Sequence, residues 1–278
     1  MAHGYLYKYK PLSGSAFNHV REIISESKIF FPRPSQLNDP KECKPTMSIG
    51  DISDPIYRPS VDAWIRRCVA HRVPQPSEAE IQLELASITQ GKLVELLGEV
   101  DVEYQAAVEN RYRILSLADS PVNRHLWDVY ANNFNGVCLQ FAVNSRFGTA
   151  YQVSYTDGKH SLDLTSLDNY EHLVKTGLVK RRKWQKEKEF RLMFGDPPIE
   201  DQPLLIDQKY SFHPRHLSAI FIGHKVAAAQ RAKLIALAHA RKPRLHCFEA
   251  FPCDQLPNVR LRPLTIWNHS RPSPRRVR

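Results

Sequence analysis

Long apolar runs are missing from this 278-residue chain. None approaches the roughly 18–20 residues needed to cross a bilayer. The opening Met1-Ala2-His3-Gly4-Tyr5 also lacks the charged-then-apolar layout of a secretory leader. The expectation is a soluble, cytoplasmic protein with no membrane partner. Cysteine is sparse: Cys43, Cys68, Cys138, Cys247 and Cys253 are odd in number and include no Cys-x-x-Cys pair. That argues against a zinc ribbon or a disulfide framework and for buried, reduced thiols. There is no glycine-rich phosphate loop, no Gly-x-Ser-x-Gly and no His-Glu-x-x-His. His213 and His216 flank Pro214 with no acidic or cysteine neighbour to complete a ligand set, so no metal is expected.

Negative charge is the scarcer sign, leaving a net charge of +10. A surplus of that size favours polyanions, chiefly nucleic acid or nucleotides, through counterion release and long-range steering. Part of it is local. Lys180-Arg181-Arg182-Lys183 is one cluster, and Arg271-Pro272-Ser273-Pro274-Arg275-Arg276-Val277-Arg278 is another. The plainer readings are a solvated helix end and a flexible basic tail over residues 265–278.

The remaining composition, 42% hydrophobic and 24% charged, is that of an ordinary globular protein able to bury a core. Alternation and helical spacing predict strands at 5–10, 29–31, 113–117, 137–141, 151–155, 187–194, 217–222, 245–251 and 259–264. Helices are predicted at 13–28, 61–72, 77–98, 162–182 and 226–241. A further helix is predicted to begin at Ser120-Pro121, with Ser120 as N-cap. The fold class is α+β, read as a single domain over residues 5–264, with 61–110 as a helical insertion or lid.

Residues 187–194 concentrate the chemistry. Glu187, Glu189 and Arg191 share one parity, while Phe190, Leu192 and Phe194 share the other. A strand would send the apolar set into a core and present the acid pair with its guanidinium on the opposite face. The plain alternative is an exposed Glu/Arg face on an edge strand, where such pairs contribute little.

Several motifs together carry a resemblance. They are Leu6-Tyr7-Lys8-Tyr9-Lys10-Pro11-Leu12, Asn38-Asp39-Pro40-Lys41-Glu42, Trp127-x-x-Tyr130-Ala131 with Asn135-Gly136-Val137-Cys138-Leu139-x-Phe141, Lys183-Trp184-x-x-Glu187-x-Glu189-x-Arg191, and Leu217-x-x-Ile220-x-Ile222-Gly223. In this order they resemble the bacterial domain-of-unknown-function 2971 family over nearly the whole chain. Lys41 departs from that pattern, which carries a bulky apolar residue there. The family name implies no activity.

The element order also resembles the ADP-ribosyltransferase fold, a split antiparallel or mixed sheet with flanking helices that binds NAD in its cleft. Leu6-Tyr7-Lys8 is similar to a Leu-Tyr-His opening, with Lys8 replacing the histidine, and Glu187-x-Glu189 is similar to a Glu-x-Glu motif. No Ser-Thr-Ser is present, although Ser116 sits on a central strand. The resemblance implies that Glu189 stabilises an oxocarbenium-like state as NAD loses nicotinamide. It implies that Glu187 orients or deprotonates the acceptor and that Arg191 keeps both ionised. NAD, as substrate, would then meet Lys8, Lys10, Tyr7, Tyr130, Ser116 and Asn38. The same residues have plainer readings: Tyr7, Tyr9, Trp127 and Tyr130 as core aromatics, and Asn38-Asp39-Pro40 as a turn.

The expectation is thus an ADP-ribosyltransferase-like enzyme, in the setting of a bacterial toxin or phage-defence effector, acting on nucleic acid or an associated target. Its antitoxin or chaperone, if it has one, is not legible. The alternative is a non-enzymatic nucleic-acid-binding module in which Lys180, Arg181, Arg182, Lys183 and the tail grip phosphate while Trp184 stacks a base. A third reading is metal-dependent nuclease chemistry at Glu187 and Glu189.

Overall fold

The computed structural model describes residues 4–39, 41–70, 72–158, 160–166, 176–195, 202–254 and 258–264. The basic tail and the middle of the 162–182 segment lie outside them. The fold is α+β, and the chain divides into two compact units. The first comprises Met1–Ile29, Leu117–Thr149 and Ser211–Arg278; the second comprises Phe30–Ser116 and Ala150–Tyr210.

In the first unit, strands run in the order Val259–Pro263, His246–Pro252, Leu217–Gly223, Gly136–Ala142, Tyr5–Pro11. The arrangement is mixed. Leu217–Gly223 is parallel to His246–Pro252, joined to it through the helix Ala228–Ala240, and the other pairings are antiparallel. Gly136–Ala142 lies between two neighbours and reads as an almost unbroken apolar run, as a strand covered on both faces should.

The core of this unit is aromatic. Trp127 stacks on Phe134 at 5.1 Å and meets Tyr9 edge-on at 5.4 Å. Its indole N–H donates to the Pro121 carbonyl at 2.8 Å, so burial leaves no polar atom unsatisfied on that ring. The buried Arg241 donates to the carbonyls of Ile23 and Ile24 at 3.4 and 2.6 Å, serving two of the last carbonyls of the helix Ala16–Glu26. Gly223 is required by close approach, because a Cβ there would stand 2.1 Å from the Phe134 carbonyl oxygen.

The second unit places Glu189–Gly195 between Tyr112–Ala118 and Tyr151–Gln152. Two short parallel pairs accompany it: Thr46–Ser48 with Ser161–Asp163, and Ser154–Thr156 with Val179–Arg181. Helices Arg58–Ala70, Glu78–Ser87 and Gln90–Arg111 belong to this unit. The last of them contributes Tyr104 and Val108 to a cluster with Met47, Tyr112, Ile114 and Leu162.

Several sequence expectations need correction. The helix expected over 77–98 is two helices. They break at Ile88 and Thr89, where β-branched residues turn extended and the Thr89 hydroxyl caps the next helix by accepting from the Lys92 amide. The helix expected from Ser120 begins at Arg124 with Asn123 as its cap. The helix expected over 162–182 is overturned at both ends, where Ser161–Asp163 and Val179–Arg181 pair as strands. The exception to the buried thiols is Cys68, which is exposed, and Cys253 is half-buried.

Trp127→Ala is expected to cost about 3–5 kcal/mol in urea denaturation, the range for emptying a large aromatic site. A loss below about 1 kcal/mol would mean that the Tyr9–Trp127–Phe134 stack is not the anchor of this core.

Candidate functional site: a buried ion cluster under a cationic cleft

The site lies wholly in the second unit. The sequence reading starts its strand at Glu187. Instead, Arg182–Glu187 forms a 3₁₀ helix, Lys188 turns through a left-handed φ of 47°, and the strand begins at Glu189. Nor does the acid pair face solvent. Glu187, Glu189 and Arg191 are 4%, 3% and 0% exposed, which excludes the exposed edge-strand reading.

They are buried because Lys180 is buried with them. Pairing of Val179–Arg181 with Ser154–Thr156 sets Lys180 opposite Tyr155. Its ammonium contacts Glu187 at 2.6 Å, Glu42 at 2.8 Å and Glu189 at 3.0 Å. Arg191 completes the group. Its Nε donates to Glu189 at 2.7 Å, its Nη2 to Glu42 at 2.8 Å, and its Nη1 to the Gly177 carbonyl at 2.6 Å. Ser116 donates to Glu189 from its side chain, and the Glu189 amide donates to the Tyr155 hydroxyl at 2.9 Å.

The charges set one another. Burial alone would raise the Glu189 pKa, but Arg191 and Lys180 carry it down to about 2. Burial likewise works against the charge on Lys180 and Arg191, and the surrounding carboxylates outweigh it, so both stay protonated. Glu42 goes the other way: burial raises its pKa and the two cations only partly offset this. Burial pushes Cys43 up to about 11 and Tyr155 to about 12, leaving both neutral.

A second node lies beside the cluster. Asp39 is buried and accepts from Arg181 at 2.6 and 3.0 Å, from the Trp184 indole at 2.8 Å and from the Lys41 amide at 3.2 Å. Burial opposes the charge on Asp39, but the Arg181 and Trp184 hydrogen bonds hold its pKa at about 2. A cleft of about 270 Å³ opens between these parts. Its walls come from Asp39, Lys41, Glu42, Lys44 and Thr46, from Thr156, Asp157, Gly158 and His160, and from Val179, Lys180 and Arg181.

The expected site residues therefore fall into distinct groups. Glu187, Glu189, Arg191 and Ser116 come together, the three charged residues buried against one another where the sequence reading had all four facing a ligand. Lys180, expected on a cationic outer face, is sealed among carboxylates and cannot grip a phosphate. Arg181 is bound to Asp39, and Arg182 pairs with the exposed Asp157 at 2.8 Å. The Trp184 indole is pinned by Asp39 and carries the Lys183 ammonium 4.8 Å from its ring centroid. Asn38 is exposed in the same loop. Tyr7, Lys8, Lys10 and Tyr130 belong to the first unit. There Tyr7 and Tyr130 pack against the aromatic core. Burial lifts the Tyr7 pKa to about 12 and lowers that of Lys10. For metal chemistry at Glu187 and Glu189, the decisive fact is that the Lys180 ammonium already bridges them.

The sequence reading missed Asp39, Glu42 and Tyr155 as site residues. The available signal was the Asp39-Pro40-Lys41-Glu42 run itself, with two acids in a turn-rich segment. No family model matches the chain, and neither curated proteins nor solved structures provide a match.

Lys180→Met leaves three carboxylates facing one guanidinium and is expected to cost about 3–5 kcal/mol at neutral pH. Glu189 has a folded pKa below its ordinary 4.5. Its charge therefore stabilises the fold above that pH and ceases to do so as pH falls toward 2. The stability gap between wild type and Glu189→Gln should narrow as pH is lowered from about 5 to about 3. A constant gap would show that the ionised carboxylate is not what holds the cluster.

Proposed function

We propose that the second unit is a binding module for a phosphate-bearing ligand, with single-stranded nucleic acid as the matching polyanion, and that the 270 Å³ cleft is its site. One observation carries this reading. Exposed Lys41 and Lys44 line a cleft whose floor is fixed by buried ion pairs, beside the hydroxyls of Thr46 and Thr156 and the imidazole of His160. Lysine ammoniums and hydroxyls are ordinary phosphate partners. A fixed floor lowers the ordering cost of binding. Exposed Lys183 and Lys188 extend the positive field nearby, and the chain's net charge of +10 has the sign that recruits polyanions.

ADP-ribosyl transfer from NAD is the second reading, favoured by the ionised state of Glu189. A carboxylate serving an oxocarbenium-like centre must be charged. Here, Lys180 and Arg191 cover that carboxylate, so the chemistry would require their displacement. Nicotinamide release from labelled NAD, abolished in Glu189→Gln, would establish it. No release from folded protein that binds nucleic acid would remove it.

The binding reading is tested with a labelled single-stranded oligonucleotide and the Lys41→Ala/Lys44→Ala variant. Affinity should fall by about tenfold, and the slope of log K against log salt should shrink by about 0.7 for each phosphate no longer neutralised. Unchanged affinity and slope would place any polyanion elsewhere.

A further inference from the structure

Among the described residues, the buried cluster holds an odd charge. Glu42, Glu187 and Glu189 supply three negative charges against the two positive charges of Lys180 and Arg191, with every side chain no more than 5% exposed. One negative charge in excess is costly in a low-dielectric interior, and a proton is the smallest group that removes it. Of the three carboxyls, Glu42 alone also lines the cleft. Inside, it faces Lys180 and Arg191, with Glu189 and Glu187 beyond them and neutral Cys43 as its chain neighbour. On the cleft side stand Lys41, Lys44 and His160, and the charges of Asp39 with Arg181 and of Asp157 with Arg182 are paired off.

We infer, building on the anion-binding reading above, that Glu42 is a proton-linked gate on the cleft: an anion binds there more tightly when the Glu42 carboxyl is protonated, so that binding is coupled to proton uptake at this one group. The proton comes from solvent and converts the carboxylate to the neutral acid, and no other bond changes. An ionised Glu42 repels the incoming phosphate, whereas a neutral Glu42 leaves Lys41 and Lys44 unopposed and balances the cluster at two charges of each sign. Binding and protonation therefore reinforce each other, and affinity rises as pH falls. The direction of the Glu42 shift agrees, since burial already raises this carboxyl above its ordinary range.

The test uses full-length protein and labelled oligothymidylate without a terminal phosphate, a ligand that does not itself titrate between pH 5 and pH 8. Wild-type affinity should rise about tenfold as pH falls across that range, the size expected for one unit charge a few ångströms away at intermediate dielectric. Glu42→Gln should bind at pH 8 as wild type does at pH 5 and lose the pH dependence. His160→Asn should keep the dependence, which separates Glu42 from the imidazole in the cleft. Calorimetry of wild type in two buffers of different ionisation heat should show net proton uptake on binding, peaking at about half a proton per ligand for a tenfold linkage, a readout that needs no variant to fold. A pH-independent wild type, a Glu42→Gln variant that keeps the full dependence, or zero proton uptake would overturn the gate while leaving the binding reading intact. Absence of binding at every pH would overturn both.

Discussion

The second unit depends on one ammonium. Lys180 lies within 3.0 Å of three carboxylates, Glu187 and Glu189 nearby in the chain and Glu42 far from them, and none of the four groups has appreciable access to water. Burying any of them alone would be prohibitive. Together they are tolerated because each carboxylate meets a cation, and Arg191 supplies the second cation with its own carbonyl acceptor. Such clusters add little net stability over a well-packed apolar substitute, but they punish misassembly severely. Here the consequence is positional. Residue 42, the strand Val179–Arg181, the turn ending at Glu187 and the strand from Glu189 can satisfy their charges in only one arrangement.

The cleft follows from that arrangement. With Lys180 turned inward, its neighbour Arg181 faces the other way and finds Asp39. The same carboxylate holds the Trp184 indole, so the wall at 179–184 and the loop at 39–46 are tied by one buried acid. The run Lys180-Arg181-Arg182-Lys183 is therefore not one cationic patch. Strand alternation sends its first charge into the core and its second into a partly buried ion pair, and the 3₁₀ turn that begins at Arg182 carries the last two to the surface. The cations left facing the cleft are Lys41 and Lys44, which lie far from that run in sequence.

This explains how much was legible. Strands whose apolar residues alternate or run unbroken, such as 137–141 and 217–222, appear where the pattern placed them because burial alone dictates them. The convergence of Glu187, Glu189 and Arg191 was also readable, though for an incomplete reason. Parity brings Glu189 and Arg191 together, whereas Glu187 arrives through a 3₁₀ turn and a left-handed Lys188. The burial of the group was not readable. A run of Lys, Arg and Glu looks solvated in one dimension, and its inward face appears only once Glu42, some 140 residues away, supplies the matching charge. The same long separation hid Asp39, whose partners Arg181 and Trp184 looked like a phosphate clamp and a base platform.

The cluster also orders its own carboxylates by availability. Glu189 accepts from Arg191 on one oxygen, from Arg191 and Lys180 on the other, and from Ser116, so its lone pairs are spoken for. A carboxylate saturated in this way holds a fold together well and meets a substrate poorly. Glu42 touches the same two cations, yet burial raises its pKa where that of Glu189 is lowered, and it borders the cleft. The acid that the strand pattern advertises is thus the one committed to structure. The acid that borders the cleft, and that we infer takes a proton from solvent as a ligand arrives, sits in the turn-rich segment that carries no periodic signal at all.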